Sequence, residues 1–285
     1  MTQTPRIDAH HHFWRYDPAA FGWIDPGSAI ARDFDAQALA GALATRKIAG
    51  AIAVQARQMP EETRMLLDAV TRGAAICGVV GWIDLRADDI AERVAADAAP
   101  LLVGYRHVVQ DEPDADFLLG DAFVRGVRAV AKQGLSYDLL VDHRQFATVP
   151  AFLDRVGAGR FVLDHAAKPA IARGGWQPWA ERLKAAAACP GLMCKVSGLV
   201  TEADHAHWTP DDLERYLDHV FAAFGPERLM WGSDWPVCLL AADYGAVHDV
   251  IAAYVARHCP GASDGIFGGH ALAFYKPPTG ATASP

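Results

Sequence analysis

Eight short runs of β-branched, aromatic and aliphatic residues recur along this chain, and longer Ala/Leu-rich stretches with helical periodicity lie between them. The runs fall at 6–12, 49–55, 76–83, 102–108, 136–141, 161–165, 192–196 and 229–233. Helical stretches are expected at 61–73, 87–98, 117–132, 149–156, 179–189, 210–224 and 246–258. The stretch at 210–224 carries its own boundary signals: Thr209 as N-cap, Pro210 in the first turn, Asp211 and Asp212 against the helix dipole, and Gly225 at the end. Strict alternation of strand and helix requires a parallel sheet covered by helices, with strands apolar on both faces. Eight such units in 285 residues predict an α/β fold, a single (β/α)8 barrel of the TIM type over residues 1–276. The Pro/Thr/Ala/Ser-rich residues 277–285 read as a frayed tail. A doubly wound open sheet is the alternative, but no glycine-rich phosphate loop follows the first run.

A hydrophobic fraction of 52% and a charged fraction of 21% describe an ordered globular chain. With 26 Lys and Arg against 34 Asp and Glu, the net charge of −8 offers no counter-charge to a phosphate backbone, so nucleic acid is not an expected partner. The longest apolar stretch, 74–83, is too short to span a membrane, and no basic region with an apolar core opens the sequence. A cytoplasmic location is therefore expected. The five cysteines form no C-x-x-C pair and read as reduced side chains.

In a barrel of this kind, chemistry sits where strands end and loops begin. The first run ends in Ile7-Asp8-Ala9-His10-His11-His12-Phe13-Trp14. Side chains alternate across a strand, so His10 and His12 share a face and His11 takes the other. Two imidazoles on one face can grip a metal ion or a substrate oxygen; a solvated histidine tail is the bland alternative, and the flanking Ile7 and Phe13-Trp14 argue against it.

The eighth run ends in Gly232-Ser233-Asp234-Trp235-Pro236, where Asp234 is the first candidate for a general base, with a turn-forming aspartate as the alternative. His165, between Asp164 and Lys168, reads as a catalytic or ligating histidine or as a core histidine. Arg106, His107 and Lys168 at strand ends could polarise a carbonyl or bind hydroxyls. Trp14, Trp82 and Trp235 suit stacking on a sugar-like ring, or ordinary packing.

A second H-x-H pair, His205 and His207, lies on the loop after the seventh run, overhanging the same barrel end. His143, just beyond the fifth run, has no clear assignment, while His219, His248 and His258 fall on helical stretches and are expected at the surface. No Gly-x-Ser-x-Gly elbow and no Cys–His arrangement is present, which disfavours covalent serine or cysteine chemistry.

Taken in order, these segments resemble the amidohydrolase superfamily, and within it the amidohydrolase-2 branch of sugar lactonases such as L-fuconolactonases and L-rhamnonolactonases. The resemblance also takes in Gly81-Trp82-Ile83-Asp84-Leu85, Gly104-Tyr105-Arg106-His107-Val108, Leu163-Asp164-His165-Ala166-Ala167-Lys168-Pro169 and Lys195-Val196-Ser197-Gly198-Leu199. It implies hydrolysis of an aldonolactone to the aldonic acid, with Asp234 and His165 as catalytic residues. It also implies a metal position formed by His10, His12, His165 and Asp234.

The fifth run lacks a histidine at its end and no lysine suited to carbamylation closes the fourth, so a two-metal site is not expected. One divalent ion, zinc, is the implied cofactor, and a dispensable one. His270 stands where relatives tend to have asparagine. A metal-dependent decarboxylase of the same superfamily and a catalytically silent sugar-binding barrel are the competing readings.

Overall fold

The computed structural model describes residues 4–71, 75–97 and 99–277, so the tail expected at 277–285 lies, Pro277 apart, outside the described residues. The eight expected strands form as β1 (Ile7–His11), β2 (Gly50–Val54), β3 (Ile76–Gly81), β4 (Leu102–Val108), β5 (Ser136–Leu140), β6 (Arg160–Leu163), β7 (Met193–Val196) and β8 (Leu229–Trp231). They pair in chain order, every neighbour parallel. The seam between β8 and β1 is drawn together by His12 N–H to Trp235 O at 2.6 Å and Asp234 N–H to His10 O at 2.8 Å. The fold is a (β/α)8 barrel, and the open-sheet alternative is excluded because the last strand returns to the first.

Helices α2 (Pro60–Thr71), α3 (Ile90–Ala96), α4 (Asp121–Lys132), α5 (Val149–Val156), α6 (Trp179–Ala187), α7 (Pro210–Phe224) and α8 (Tyr244–His258) occupy the expected stretches. At α7 the capping box of Thr209 and Asp212 forms as its residues predict. Two helices were not anticipated. One is α1 (Ala36–Ala44), which buries only Leu39 and Leu43 and is capped by Asp35; its thin apolar stripe gave little periodicity to read. The other, α9 (His270–Tyr275), packs against β1 and β8.

Apolar side chains sort into two layers. Ile7, Ile52, Val54, Cys77, Val162 and Met230 fill the barrel, where they meet Phe274 and Tyr275 of α9. The complementary strand residues, such as Ala51, Val79, Leu139, Phe161 and Trp231, join the larger cluster with the helices. His248 belongs to that buried layer against Trp231 and Phe267, and not to the surface where its helical position suggested; His219 is half-buried against Trp176 and Trp179, and only His258 is exposed as expected. His270 sits at the start of β8, its Nδ1 2.7 Å from Leu229 O, at the end of the barrel opposite Asp234. All five cysteines are free. Among the described residues no helix is long and apolar enough to cross a membrane.

Candidate active site

The first strand delivers its histidines through an irregularity. Its pairing with β2 shifts between Asp8 and His11, so that Ile7 and Ala9 face the barrel interior and so do His10 and His12. Asp8 holds this bend: its carboxylate accepts from His10 N at 3.1 Å, Ser233 N at 2.9 Å and Tyr244 OH at 3.1 Å. Burial pushes the Asp8 carboxyl up to about 6 against those hydrogen bonds. His11 faces away from the pair, buried beside Phe13, and burial pushes it down to about 3.

Four side chains converge at the end of the barrel toward which the strands run. His10 Nε2 and His12 Nε2 are 3.2 Å apart. Asp234 Oδ1 lies 3.8 Å from His10 Nε2, 3.4 Å from His12 Nε2 and 3.9 Å from His165 Nε2. All four residues are buried. Burial raises the Asp234 carboxyl, but the facing imidazoles of His165 and His12 outweigh it and leave the group below the ordinary carboxylate value. Burial pushes His165 down to about 4, so it is neutral at physiological pH.

The backbone at two of these residues is strained. Asp234 has φ 57°, and His165, Ala166, Ala167 and Lys168 run with φ of 53°, 47°, 55° and 53°. Four successive left-handed non-glycine residues are rare and costly, and such strain concentrates where side chains must be aimed. Lys168 N–H to His165 O at 2.8 Å and Trp179 Nε1–H to Ala166 O at 2.8 Å secure the turn. Opposite His165, Gly198 has φ 63°, and any Cβ there would stand 2.8 Å from His165 Nδ1. Ser197 Oγ is 2.8 Å from that nitrogen.

Beneath the cluster lies a buried ionic network that the sequence reading did not single out. Arg106 Nη1 donates to Asp164 Oδ2 at 3.1 Å and Nη2 to Gln55 O at 2.5 Å, while its buried Nε has no partner. Lys195, fully buried at the centre of β7, has Asp138 Oδ2 at 2.5 Å and Asp164 Oδ1 at 3.0 Å. Tyr275 from α9 donates to Asp138 Oδ2 at 2.7 Å. The charges of Lys195 and Arg106 hold Asp164 well below the carboxylate range despite its burial.

A cavity of about 390 Å³ opens over the cluster, lined among others by His12, Trp23, Arg106, His165, Lys168 and Asp234. An adjoining cavity of about 530 Å³ includes His143 and shares Lys168, which pairs with Glu202 at 3.1 Å. The larger cavity does not include the imidazole–carboxylate cluster, so the chemistry selects the smaller one. Trp14 lines the smaller cavity but is almost wholly buried, as is Trp235, which packs edge-on against Phe34. Trp82 and His107 lie outside this lining: Trp82 Nε1 donates to His107 Nδ1 at 3.3 Å, and His107 Nε2 bonds Glu112 at 2.7 Å. His205 and His207 are exposed and bonded locally, to Thr201 O and Asp204. Trp23, on the loop between β1 and α1, is the one exposed large hydrophobic side chain among the described residues, 53% accessible, and stands edge-on to Trp14 at 5.9 Å.

Two sets of residues could hold a metal ion: His10, His12 and Asp234, and His10, Asp164 and His165. In the first set the donor separations of 3.2 to 3.8 Å approach the roughly 3.3 Å edge of a tetrahedron built on bonds of about 2.0–2.1 Å. The outer nitrogens divide. His12 Nδ1 lies 2.7 Å from Val54 O and donates to it, as a ligating histidine's second nitrogen normally does. His10 Nδ1 instead faces the Lys195 ammonium at 3.0 Å, and Arg106 Nη1 stands 3.2 Å from His10 Nε2. The donor set suits zinc, whereas the surroundings of His10 do not.

The amidohydrolase family model matches residues 7–276, from the first residue of β1 to the residue after α9. The chain is 43% identical over 290 residues to an L-fucono-1,5-lactonase of Burkholderia multivorans, covering 98% of each. It is 38% identical over 283 residues to an L-fucono-1,5-lactonase of Burkholderia ambifaria, covering 96% of each. A crystal structure of an amidohydrolase from Burkholderia multivorans with bound zinc superposes with a TM-score of 0.92 at 42% identity, covering 96% of this chain and all of that one. A match that takes in every strand of the barrel, with relatives this similar along their whole length, makes the chain a member of the amidohydrolase family.

Proposed function

We propose that the protein hydrolyses a sugar lactone of the L-fucono-1,5-lactone class to the open-chain aldonic acid. The observation that carries this reading is the Asp234 carboxylate, held below its ordinary value beside His12 and His165 in the lining of a sugar-sized cavity, in a chain 43% identical to a curated L-fucono-1,5-lactonase. A lactone needs one water, one base and one donor for the developing oxyanion, since its ring alkoxide leaves more readily than an amine.

Asp234 takes a proton from water as the oxygen attacks the ring carbonyl. Arg106, whose guanidinium borders the cavity, stabilises the negative charge that builds on the carbonyl oxygen. Collapse breaks the acyl C–O bond, and the proton held by Asp234 passes to the ring oxygen. His165, with Nδ1 on Ser197 and Nε2 toward Asp234, is placed to relay it. Lys168 and Trp23 at the rim contact the sugar hydroxyls and the apolar face of the ring. Zinc on His10, His12 and Asp234 would add Lewis acidity, but the cations beside His10 do not suit it, and no step above runs through it.

A pH-indicator assay over a panel of sugar 1,4- and 1,5-lactones tests this reading, because each turnover releases a proton from the new carboxylic acid. Proton release well above the buffer rate on an L-fucono-1,5-type lactone is expected. Ligand-induced thermal stabilisation with no proton release would instead identify a binding protein.

The aromatic at the rim makes a second prediction. Replacing Trp23 with Ala removes a stacking surface worth about 1 kcal/mol, so KM for the preferred lactone rises about fivefold to tenfold while kcat stays within about twofold. Steady-state kinetics with unchanged KM would remove Trp23 from the substrate site.

A further inference from the structure

We propose that Arg57 is a specificity residue whose two terminal nitrogens grip a pair of neighbouring hydroxyl oxygens on the neutral sugar ring. Arg57 lies on the loop between β2 and α2 and borders the same cavity as His12, Arg106 and Asp234. What fixes it there is Glu62, in the first turn of α2, whose side chain is wholly buried. The Glu62 carboxylate accepts from Ala56 N–H, from Arg57 N–H at 2.9 Å and from Arg57 Nε–H at 2.6 Å. One carboxylate thus holds both the backbone of the loop and the inner edge of the guanidinium.

A guanidinium carries five N–H donors in one rigid plane, and Glu62 takes the one on Nε. Among the described residues Arg57 Nη1 and Nη2 have no acceptor, and the side chain keeps 27% of its surface accessible. The buried Phe21 ring backs the guanidinium, its centroid 5.3 Å from the guanidinium carbon. That ring also packs edge-on to Trp23 at 6.5 Å, so the fork and the exposed aromatic belong to one wall. Gln58 extends the wall: its Oε1 accepts from Val108 N–H at 2.9 Å, which leaves its amide hydrogens to the cavity. The loop spends its acceptors inside the protein and turns donors toward the substrate.

Donors of this kind call for oxygen acceptors, and the lactone carbonyl is already taken by Asp234 and Arg106. What remains on the ring is its hydroxyls. A carboxylate substituent fits less well, because each Arg and Lys of the lining has its own carboxylate. Glu62 meets Arg57 at 2.6 Å, Asp164 meets Arg106 at 3.1 Å and Glu202 meets Lys168 at 3.1 Å. Two gauche hydroxyls on adjacent carbons set their oxygens side by side, as the planar fork requires. With Trp23 against the apolar face of the ring, this wall selects neutral lactones that carry such a pair.

The inference rests on the lactone reading above, and one experiment separates the two. Steady-state kinetics compare the preferred lactone with its monodeoxy analogues, each lacking one hydroxyl, in the unaltered protein and in Arg57→Lys. Lysine keeps a cation for Glu62 but offers no fork to the cavity. In the unaltered protein, deleting either gripped hydroxyl should lower kcat/KM about tenfold, mainly through KM, as for hydrogen bonds to a charged donor. In Arg57→Lys the same two deletions should cost less than about threefold, while deletions elsewhere on the ring cost what they did before. Glu62→Gln is the second variant, outside the cavity lining: a carboxamide cannot accept at both ends, so the fork is released and the same two penalties should shrink. A structural role alone lowers activity on every analogue alike, so penalties equal to those of the unaltered protein in whichever variant folds overturn the proposal. A loss confined to lactones bearing a carboxylate also overturns it. Absence of turnover by the unaltered protein on every lactone overturns instead the reading on which it rests.

Discussion

Asp234→Asn should lower kcat for lactone hydrolysis by about 10³-fold while the melting temperature changes little. The substitution keeps the shape and the backbone bonds that pin the residue, Asp234 N–H to His10 O and Cys238 N–H to Asp234 O. It removes the negative charge, and with it the only route by which this carboxylate can take a proton from water. General base catalysis contributes typically about 10²–10⁴-fold, and about 10³-fold corresponds to about 4 kcal/mol of barrier. An amide also presents N–H donors to imidazole nitrogens at 3.4 to 3.9 Å, so residual activity should not recover at high pH. Measured kcat within tenfold of the unaltered protein would remove Asp234 from the role of base.

Arg106→Met should cost about 10²–10³-fold in kcat/KM, the usual loss when one oxyanion donor is removed. Unlike Asp234→Asn it should also lower stability. Asp164 would keep Lys195 but lose its contact with Arg106, and breaking a buried ion pair costs about 3 kcal/mol or more when no partner remains. Kinetics well below the melting temperature separate the two effects. Arg106→Lys keeps the charge without the fork that spans Asp164 and Gln55 O, and should fall between the two. If Arg106→Met retained activity within threefold in the folded protein, the oxyanion would have to be stabilised by another group, with Arg57 and Lys168 the other cations of the lining.

The residues that could be read as chemistry from the sequence were those that interrupt an apolar run at its end. His10, His12, His165 and Asp234 all have that position, and all four meet within one cluster. The aromatic residues were less legible because apolar side chains serve packing and stacking equally well. Trp14 and Trp235 are buried, Trp82 is engaged with His107, and the rim position belongs to Trp23, which sits in a loop without periodicity. Asp138 and Lys195 did carry a signal: a charged residue in the middle of an apolar strand, Tyr137-Asp138-Leu139 and Cys194-Lys195-Val196. A charge there must find a partner inside the barrel, although the strand alone does not say which.

Periodicity and strand-end chemistry are local properties, carried by neighbours along the chain, and they were sufficient to specify eight β/α units and the polar residues at their ends. Everything that depends on two distant segments meeting was decided only by closure of the barrel. The bend held by Asp8 and Ser233, the left-handed turn that aims His165 past Gly198, and the ammonium of Lys195 against His10 each join residues far apart in sequence. The hydrogen-bond partners of His10 are set by which groups share a buried volume, and that volume exists only once β8 has returned to β1.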